Sequence, residues 1–149
     1  ADQIPTIALA DGKGTLELVS GTYNGITGPI RSLTGVFMST VRLASGARVQ
    51  LLAPQGRSVF LYVVSGTIAV AGSKVEQWHL VTLNDDGDEV AIQAVTDVTL
   101  LFGHADPIGE PVVAQGPFVM NSQQEISEAI RDYQAGKFNG TGPLIGVGE

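Results

Sequence analysis

Residues 59–71 read Val-Phe-Leu-Tyr-Val-Val-Ser-Gly-Thr-Ile-Ala-Val-Ala. Two runs rich in β-branched and aromatic residues, Val59–Val64 and Thr67–Ala71, flank the pair Ser65-Gly66. Such runs favour strands, and Ser and Gly favour the tight turn between them. The stretch therefore predicts two short strands. Because Val59–Val64 is apolar throughout, we expect this strand to be covered on both faces.

The same pattern continues on both sides of this stretch. Further strands are predicted at Thr15–Val19, Val36–Leu43, Arg48–Leu52, Trp78–Leu83, Glu89–Ala94 and Val98–Phe102. Short strands with a turn signal about every 8–12 residues indicate an all-β sandwich or barrel. The acidic segment 84–89 lacks the spacing of a calcium-binding loop, so we interpret it as a solvated hairpin turn between Leu83 and Val90.

Length and composition exclude several classes of protein. A chain of 149 residues is long enough for one domain with a real core. Its net charge of −7, with no basic cluster, argues against binding of nucleic acid. The chain has no cysteine, which excludes disulfides, thiolate nucleophiles and cysteine-built metal sites. The sequence contains neither a phosphate-binding glycine loop nor a serine-nucleophile motif.

Membrane and export signals are not visible either. The longest mostly apolar run, Val59–Gly72, is shorter than the ~20 residues that a helical bilayer span needs. The first residues lack the basic and apolar regions of a signal peptide. We therefore expect no membrane partner and a cytoplasmic location.

The last third of the chain changes from strand to helix signals. Ser122 and Glu125 have the spacing of a capping box, and Gly136 is a typical helix stop. Four apolar residues between them share one helical face: Ile126, Ala129, Ile130 and Tyr133. We predict one amphipathic helix at Gln123–Ala135 that packs on the barrel. This divides the chain into a β-barrel at 1–121, a helix at 122–136 and a Gly-rich tail at 137–149.

Two histidines are the only nitrogen ligands available for a metal. His79 lies in a predicted strand and His104 at the end of another. Together with Glu76 or Asp106 they could form a site of two histidines and one carboxylate, which suits non-haem iron. The alternative is that each histidine makes local hydrogen bonds at a strand end.

A longer motif covers residues 116–138, which read Gly-Pro-Phe-Val-Met-Asn-Ser-Gln-Gln-Glu-Ile-Ser-Glu-Ala-Ile-Arg-Asp-Tyr-Gln-Ala-Gly-Lys-Phe. This run resembles the C-terminal end of the pirin family. The segments Gln55-Gly56, 63–67 and 83–88 also resemble the C-terminal cupin domain of that family. The resemblance implies an all-β fold, a cupin-type small jelly roll or β-sandwich barrel, with one C-terminal helix.

The resemblance also implies where the chemistry of the family lies. Pirins contain two cupin domains. Their N-terminal half holds an iron on three histidines and one glutamate, several members oxidise quercetin with dioxygen, and some are nuclear cofactors. The cupin metal motif GxxxxxHxHxxxxExxxxxxG can be laid on Gly46–Gly66. Its ligand positions then fall on residues that cannot coordinate iron, Leu52, Pro54 and Val59, and the fourth falls near Val90.

We therefore expect a metal-free C-terminal cupin domain with a structural or interaction role. We assign it no catalytic, cofactor-binding or metal-binding residue, and we expect iron only in an N-terminal cupin half. That half is the expected partner, with a homodimer when the domain is isolated. Two alternatives stay open. One is a small dioxygenase that uses His79 and His104 as metal ligands. The other is a barrel that binds a small ligand without catalysis, which the bulk of Leu52, Val59 and Val90 disfavours.

Overall fold

The computed structural model describes residues 3–84 and 86–138, which form two compact units divided between residues 107 and 108. The strands of the first unit are β1 Thr6–Leu9, β2 Gly14–Ser20, β3 Thr22–Tyr23, β4 Ile26–Thr27, β5 Phe37–Leu43, β6 Arg48–Leu52, β7 Ser58–Ser65, β8 Thr67–Val70, β9 Ser73–Glu76, β10 Leu80–Thr82, β11 Glu89–Ala94 and β12 Val98–Ala105. A short 3-10 turn, Ala10–Gly12, joins β1 to β2.

Two antiparallel sheets make up most of this unit. The larger sheet has six strands in the order β1-β2-β5-β12-β7-β10, and the smaller has four in the order β6-β11-β8-β9. β3 and β4 form a separate two-stranded hairpin. Because β7 ends in one sheet and β8 begins in the other, the chain changes sheets at Gly66.

The core lies between the two large sheets. Alternate residues on the strands of both sheets are buried, as expected when each sheet has one covered face. The large sheet contributes Leu16, Leu18, Val41, Leu61, Val63, Leu100 and Phe102, and the small sheet contributes Val49, Leu51, Ile68, Val70, Val90 and Ile92. This confirms the predicted all-β sandwich.

The predicted strands on either side of the opening stretch are largely confirmed. β6 and β11 have the predicted bounds, and β5, β8 and β12 differ only at their ends. The expectation that β7 is covered on both faces is wrong. Leu61 and Val63 are buried, but Phe60 and Tyr62 are half-buried and Val64 is exposed. β7 therefore has one inner and one outer face, like its neighbours.

Two predictions around residues 78–90 are also wrong. The predicted strand Trp78–Leu83 is shortened to β10, because Trp78 adopts a left-handed φ of 67° and lies in a turn. The segment after Leu83 is not a hairpin turn, because β10 and β11 belong to different sheets. It connects the large sheet to the small one.

The second unit contains β13 Val113–Gln115, β14 Phe118–Met120 and the helix α1 Gln123–Gln134. The two strands pair as a hairpin, and α1 contacts both of them. The predicted cap is confirmed, since the Glu125 backbone N–H donates to the Ser122 hydroxyl at 3.3 Å.

On the predicted apolar face of α1, Ile126 and Ala129 are buried, while Tyr133 is exposed and packs its ring near Phe118 and Phe138. The packing of the helix on the barrel stays a prediction, and most of the Gly-rich tail lies outside the described residues. No helix in the described ranges is long and apolar enough to cross a bilayer.

Candidate functional site

A cleft of about 470 Å³ opens between the two large sheets. Its inner wall is hydrocarbon, formed by Ala53, Val59, Val70, Val75, Val81 and Val90. Polar and charged residues line it as well, namely Arg57, Ser73, Thr82, Asn84, Asp86 and Glu89. Ligand sites are concave and mostly apolar with a few polar groups, so this cleft is the candidate site.

The register of β6 decides which residues face the cleft. Leu51 is fully buried, whereas Leu52 is 43% exposed and lies on the outer face. Ala53 is buried and Pro54 is exposed. The expectation that Leu52 is an inward core residue is therefore wrong. Side chains alternate along a strand, so the motif laid on Gly46–Gly66 puts its two histidine positions, Leu52 and Pro54, on the outer face.

The corrected inward positions are Leu51 and Ala53 on one side and Val90 opposite Leu51 on β11. Val59 lies across the same cleft on β7. The iron site that the resemblance implies needs imidazole and carboxylate donors, and these four side chains are hydrocarbon. The residues present at the cleft do not fit the iron. No cluster of three or more histidine, aspartate or glutamate side chains suited to a metal occurs within 3–84 and 86–138.

Val59 and Val90 do not fill the space between the sheets. Val90 is 7% exposed and Val59 is half-buried, yet both line the open cleft. The expectation that the bulk of these residues leaves little room for a cavity is therefore wrong. The lining also includes small side chains, among them Ala53, Ala71 and Ser73, which fill less space than a leucine or phenylalanine would.

The structure separates the two histidines. His104 lies opposite Val59 on β7, whereas the His79 carbonyl accepts a hydrogen bond from the Val63 backbone N–H at 3.0 Å. Four residues of strand, about 13 Å, separate these two points. His79 is exposed, and its Nδ1 lies 3.2 and 3.1 Å from the carbonyl oxygens of Glu76 and Gln77. The local hydrogen-bonding alternative therefore describes His79.

His104 is buried in an aromatic environment. Its ring is stacked on Phe37, with centroids 4.5 Å apart, and meets Phe102 edge-on at 5.7 Å. Its Nδ1 has no hydrogen-bond partner among the described residues. Burial, followed by the positive charge of Arg57, lowers the pKa of His104 to about 4, against a smaller opposite effect of Asp106. The ring is therefore neutral at physiological pH.

Sequence reasoning did not identify Arg57 as a site residue. One of its terminal nitrogens, Nη2, donates to the carbonyl of Gly35 at 2.5 Å and to that of His104 at 3.4 Å. The other, Nη1, lies 3.6 Å from an Asp106 carboxylate oxygen. The only signal for Arg57 in the sequence is a charged residue directly before an apolar strand, and many surface arginines share it.

Comparison with known proteins identifies the family to which this chain belongs. A family model described as the pirin C-terminal cupin domain matches residues 38–139. The chain belongs to the pirin family. This pirin domain is 36% identical over 139 residues to a pirin-like protein of Caulobacter vibrioides, covering 92% of this chain and 50% of that protein. It is 32% identical over 131 residues to human pirin, covering 83% of this chain and 44% of that protein.

A solved structure supports the same assignment. The crystal structure of quercetin 2,3-dioxygenase from Acinetobacter baumannii matches with a TM-score of 0.84 and 31% identity, covering 91% of this chain and 48% of that one. The pirin domain therefore spans about half the length of the relatives that it matches. The cupin fold implied by the resemblance is confirmed.

Proposed function

We propose that this pirin domain is a metal-free C-terminal cupin whose role is structural and interactive, beside a metal-bearing N-terminal cupin. One observation supports the proposal: the inward side chains nearest the aligned metal motif are hydrocarbon, at Leu51, Ala53, Val59 and Val90. The Acinetobacter relative is a quercetin 2,3-dioxygenase, and on this proposal any such oxidation is carried out by the N-terminal half of the parent protein.

An exposed apolar surface supports the interaction role. Leu80 lies opposite Tyr62 and shares its outer face with Val64, next to the edge of the large sheet. Trp78 lies beside them and is 71% exposed, while Leu80 is 61% exposed. We call Val64, Trp78 and Leu80 the Trp78 patch. Exposed clusters of large apolar side chains are typical of surfaces that contact another protein.

The backbone conformation at Trp78 also supports the interaction role. Its φ of 67° lies in the left-handed region, which costs a residue with a side chain about 1–2 kcal/mol. Two backbone hydrogen bonds with Val63 stabilise this conformation. The Trp78 N–H donates to the Val63 carbonyl at 2.6 Å, and the Val63 N–H donates to the His79 carbonyl. The strained backbone at Trp78 exposes its indole ring to solvent. Backbone strain is common at functional positions, so we assign this turn a role in binding another protein.

Metal content tests the first part of the proposal. The chain, produced with iron supplementation, is expected to contain far less than one transition-metal ion per molecule by elemental analysis. Stoichiometric iron would contradict the metal-free role. If iron is present, its loss in both His79→Gln and His104→Gln would favour the dioxygenase alternative.

Sedimentation tests the interaction role. Because the Trp78 patch is exposed in the isolated chain, we expect a homodimer that dissociates on dilution. Trp78→Glu should weaken dimerisation at least tenfold, whereas Leu33→Glu, at a residue 98% exposed outside the patch, should leave it unchanged. A monomer over a wide concentration range, or equal dimerisation of both variants, would contradict the assigned surface.

A further inference from the structure

The cleft between the two large sheets contains a buried positive charge that is weakly paired. Arg57 lines the cleft, and 19% of its side chain is exposed. Its ionic partner Asp106 lies 3.6 Å from Nη1 and is itself 71% exposed. Within residues 3–84 and 86–138, the buried Nε of Arg57 has no hydrogen-bond partner. Because a buried charge and a buried donor are costly without partners, this arrangement favours a bound anion.

The two carboxylates of the lining do not cancel the charge of Arg57. Glu89 is exposed and is the cross-strand partner of Leu52, and such partners share one face of a sheet, which for Leu52 is the outer one. Asp86 is exposed as well. Water and salt screen exposed charges far more than buried ones. Arg57 therefore determines the charge that a ligand meets inside the cleft.

The rest of the cleft suits an apolar body. Its volume of about 470 Å³ lies within the ~300–1,000 Å³ of pockets that hold small organic molecules. Val59, Val81 and Val90 line it and belong to or pack against the hydrophobic core. A ligand there would bury hydrocarbon against strands of both sheets and place one polar group at Arg57.

We infer that this cleft binds a small organic carboxylate with an apolar body. The hydrocarbon part lies among Val59, Val81 and Val90, and the carboxylate accepts hydrogen bonds from the Arg57 guanidinium, including Nε–H. The planar guanidinium matches the geometry of a carboxylate, which replaces the exposed carboxylate of Asp106. The proposed carboxylate site goes beyond the metal-free role and does not depend on it, because it concerns the buried charge of the cleft and not the Trp78 patch.

Three probes of matched shape test the inference on the whole chain: 3-phenylpropionate, 3-phenylpropanamide and 3-phenylpropylamine. Binding is followed by backbone amide shifts in ¹H–¹⁵N spectra, which also locate it. The carboxylate is expected to bind about tenfold more tightly than the neutral amide, and the amine more weakly than both, with shifts at Val59, Val81 and Val90. Shifts elsewhere, or an amide or amine that binds as tightly as the carboxylate, would overturn the inference.

Removal of the guanidinium tests its role directly. Arg57→Gln should weaken binding of the carboxylate at least tenfold and reduce that of the amide by a smaller factor. Arg48→Gln is the matched control, because Arg48 is exposed and does not line the cleft, and its affinities should equal those of wild type. Equal losses for the carboxylate and the amide in Arg57→Gln would overturn the assignment of the anion to Arg57.

A second variant keeps Arg57 and removes its competitor. Asp106→Asn should raise the affinity for the carboxylate by about two- to fivefold, the value of one exposed ion pair, and leave that for the amide nearly unchanged. Asp11→Asn, at an exposed residue outside the cleft, removes the same charge and should change neither affinity. Because Asp106 is exposed, this test holds even if Arg57→Gln does not fold. An affinity for the carboxylate that stays the same or falls in Asp106→Asn would overturn the proposal.

Discussion

The ring of His104 lies parallel to that of Phe37, with an interplanar angle of 0° and centroids 4.5 Å apart. Phe37 and His104 are cross-strand partners on β5 and β12. The stack is formed in the buried interior, where a charged imidazole would lose its hydration. The fold therefore favours the neutral form of His104, and its stability depends on pH.

The pH dependence has a defined direction. The pKa of His104 is about 4 in the folded chain, below the 6.5 of an unperturbed histidine, so the unfolded chain binds more protons between these values. The contribution of His104 is present above about pH 6.5 and is lost as the pH falls towards 4. We expect a loss on the order of 2 kcal/mol in the free energy of unfolding, allowing for partial solvent screening.

Urea unfolding at pH 7, 5.5 and 4.5 measures this dependence. His104→Gln should flatten the profile relative to wild type, because it removes the titrating group. His79→Gln is the matched control, since His79 is exposed, and its profile should follow wild type. Parallel profiles for wild type and His104→Gln would contradict the assignment to His104.

Two adjacent leucines test the register of β6. Leu51 is fully buried and Leu52 is 43% exposed. Leu51→Ala should lower the free energy of unfolding by about 2–5 kcal/mol, since it leaves a cavity in the core. Leu52→Ala should cost less than about 1 kcal/mol. Chemical denaturation of both variants checks this, and a larger loss at Leu52 would show that the opposite face of the strand is inward.

Gly66 is where the chain leaves the large sheet for the small one. Its φ is 83°, and a Cβ at this position would collide with the carbonyl oxygen of Asp97. Gly66→Ala should destabilise the domain by about 2 kcal/mol or more, from backbone conformation and overlap together.

Gly46→Ala is its control. Gly46 has a φ of 79°, but open space surrounds its Cβ position. This variant should lose about 1 kcal/mol, the conformational part alone. Thermal melting of both variants measures the difference, and equal losses would exclude a steric role for Asp97.

The cap of α1 offers a local test. The Ser122 hydroxyl accepts from the Glu125 N–H, and Ser127 lies inside the helix, where its hydroxyl donates to the Gln123 carbonyl. Ser122→Ala should cost about 1 kcal/mol and reduce helix content, because a backbone donor loses its acceptor. Ser127→Ala should cost little. Far-UV circular dichroism during urea unfolding compares them, and equal losses would contradict a capping role.

Local patterns predicted much of the fold. Alternation in Glu89–Ala94 predicted β11, and the spacing of Ser122 and Glu125 predicted the start of α1. These features depend on a few neighbouring residues, so the sequence carries them directly. The two-residue strands β3 and β4 and the edge strand β9 have weak local signals, and their pairing partners stabilise them.

The candidate site was less predictable. The motif alignment placed Leu52 inward, because sequence spacing does not show which face of β6 meets the second sheet. The open cleft between Val59 and Val90 was also missed, since an empty volume depends on how far apart the sheets lie. The position of the Arg57 guanidinium beside His104 was not predictable either. It is fixed by contacts with Gly35, His104 and Asp106, which are distant in sequence.

The sequence alone determined the all-β class, the C-terminal helix, the family resemblance and the lack of metal-binding side chains near the motif, because side-chain chemistry and short-range periodicity are properties of the chain itself. Only the tertiary structure decided that Leu51 and Ala53 face inward, that His79 and His104 lie apart, and that a cleft remains open between the two sheets. These depend on strand register and sheet separation, which arise from contacts between residues far apart in the chain.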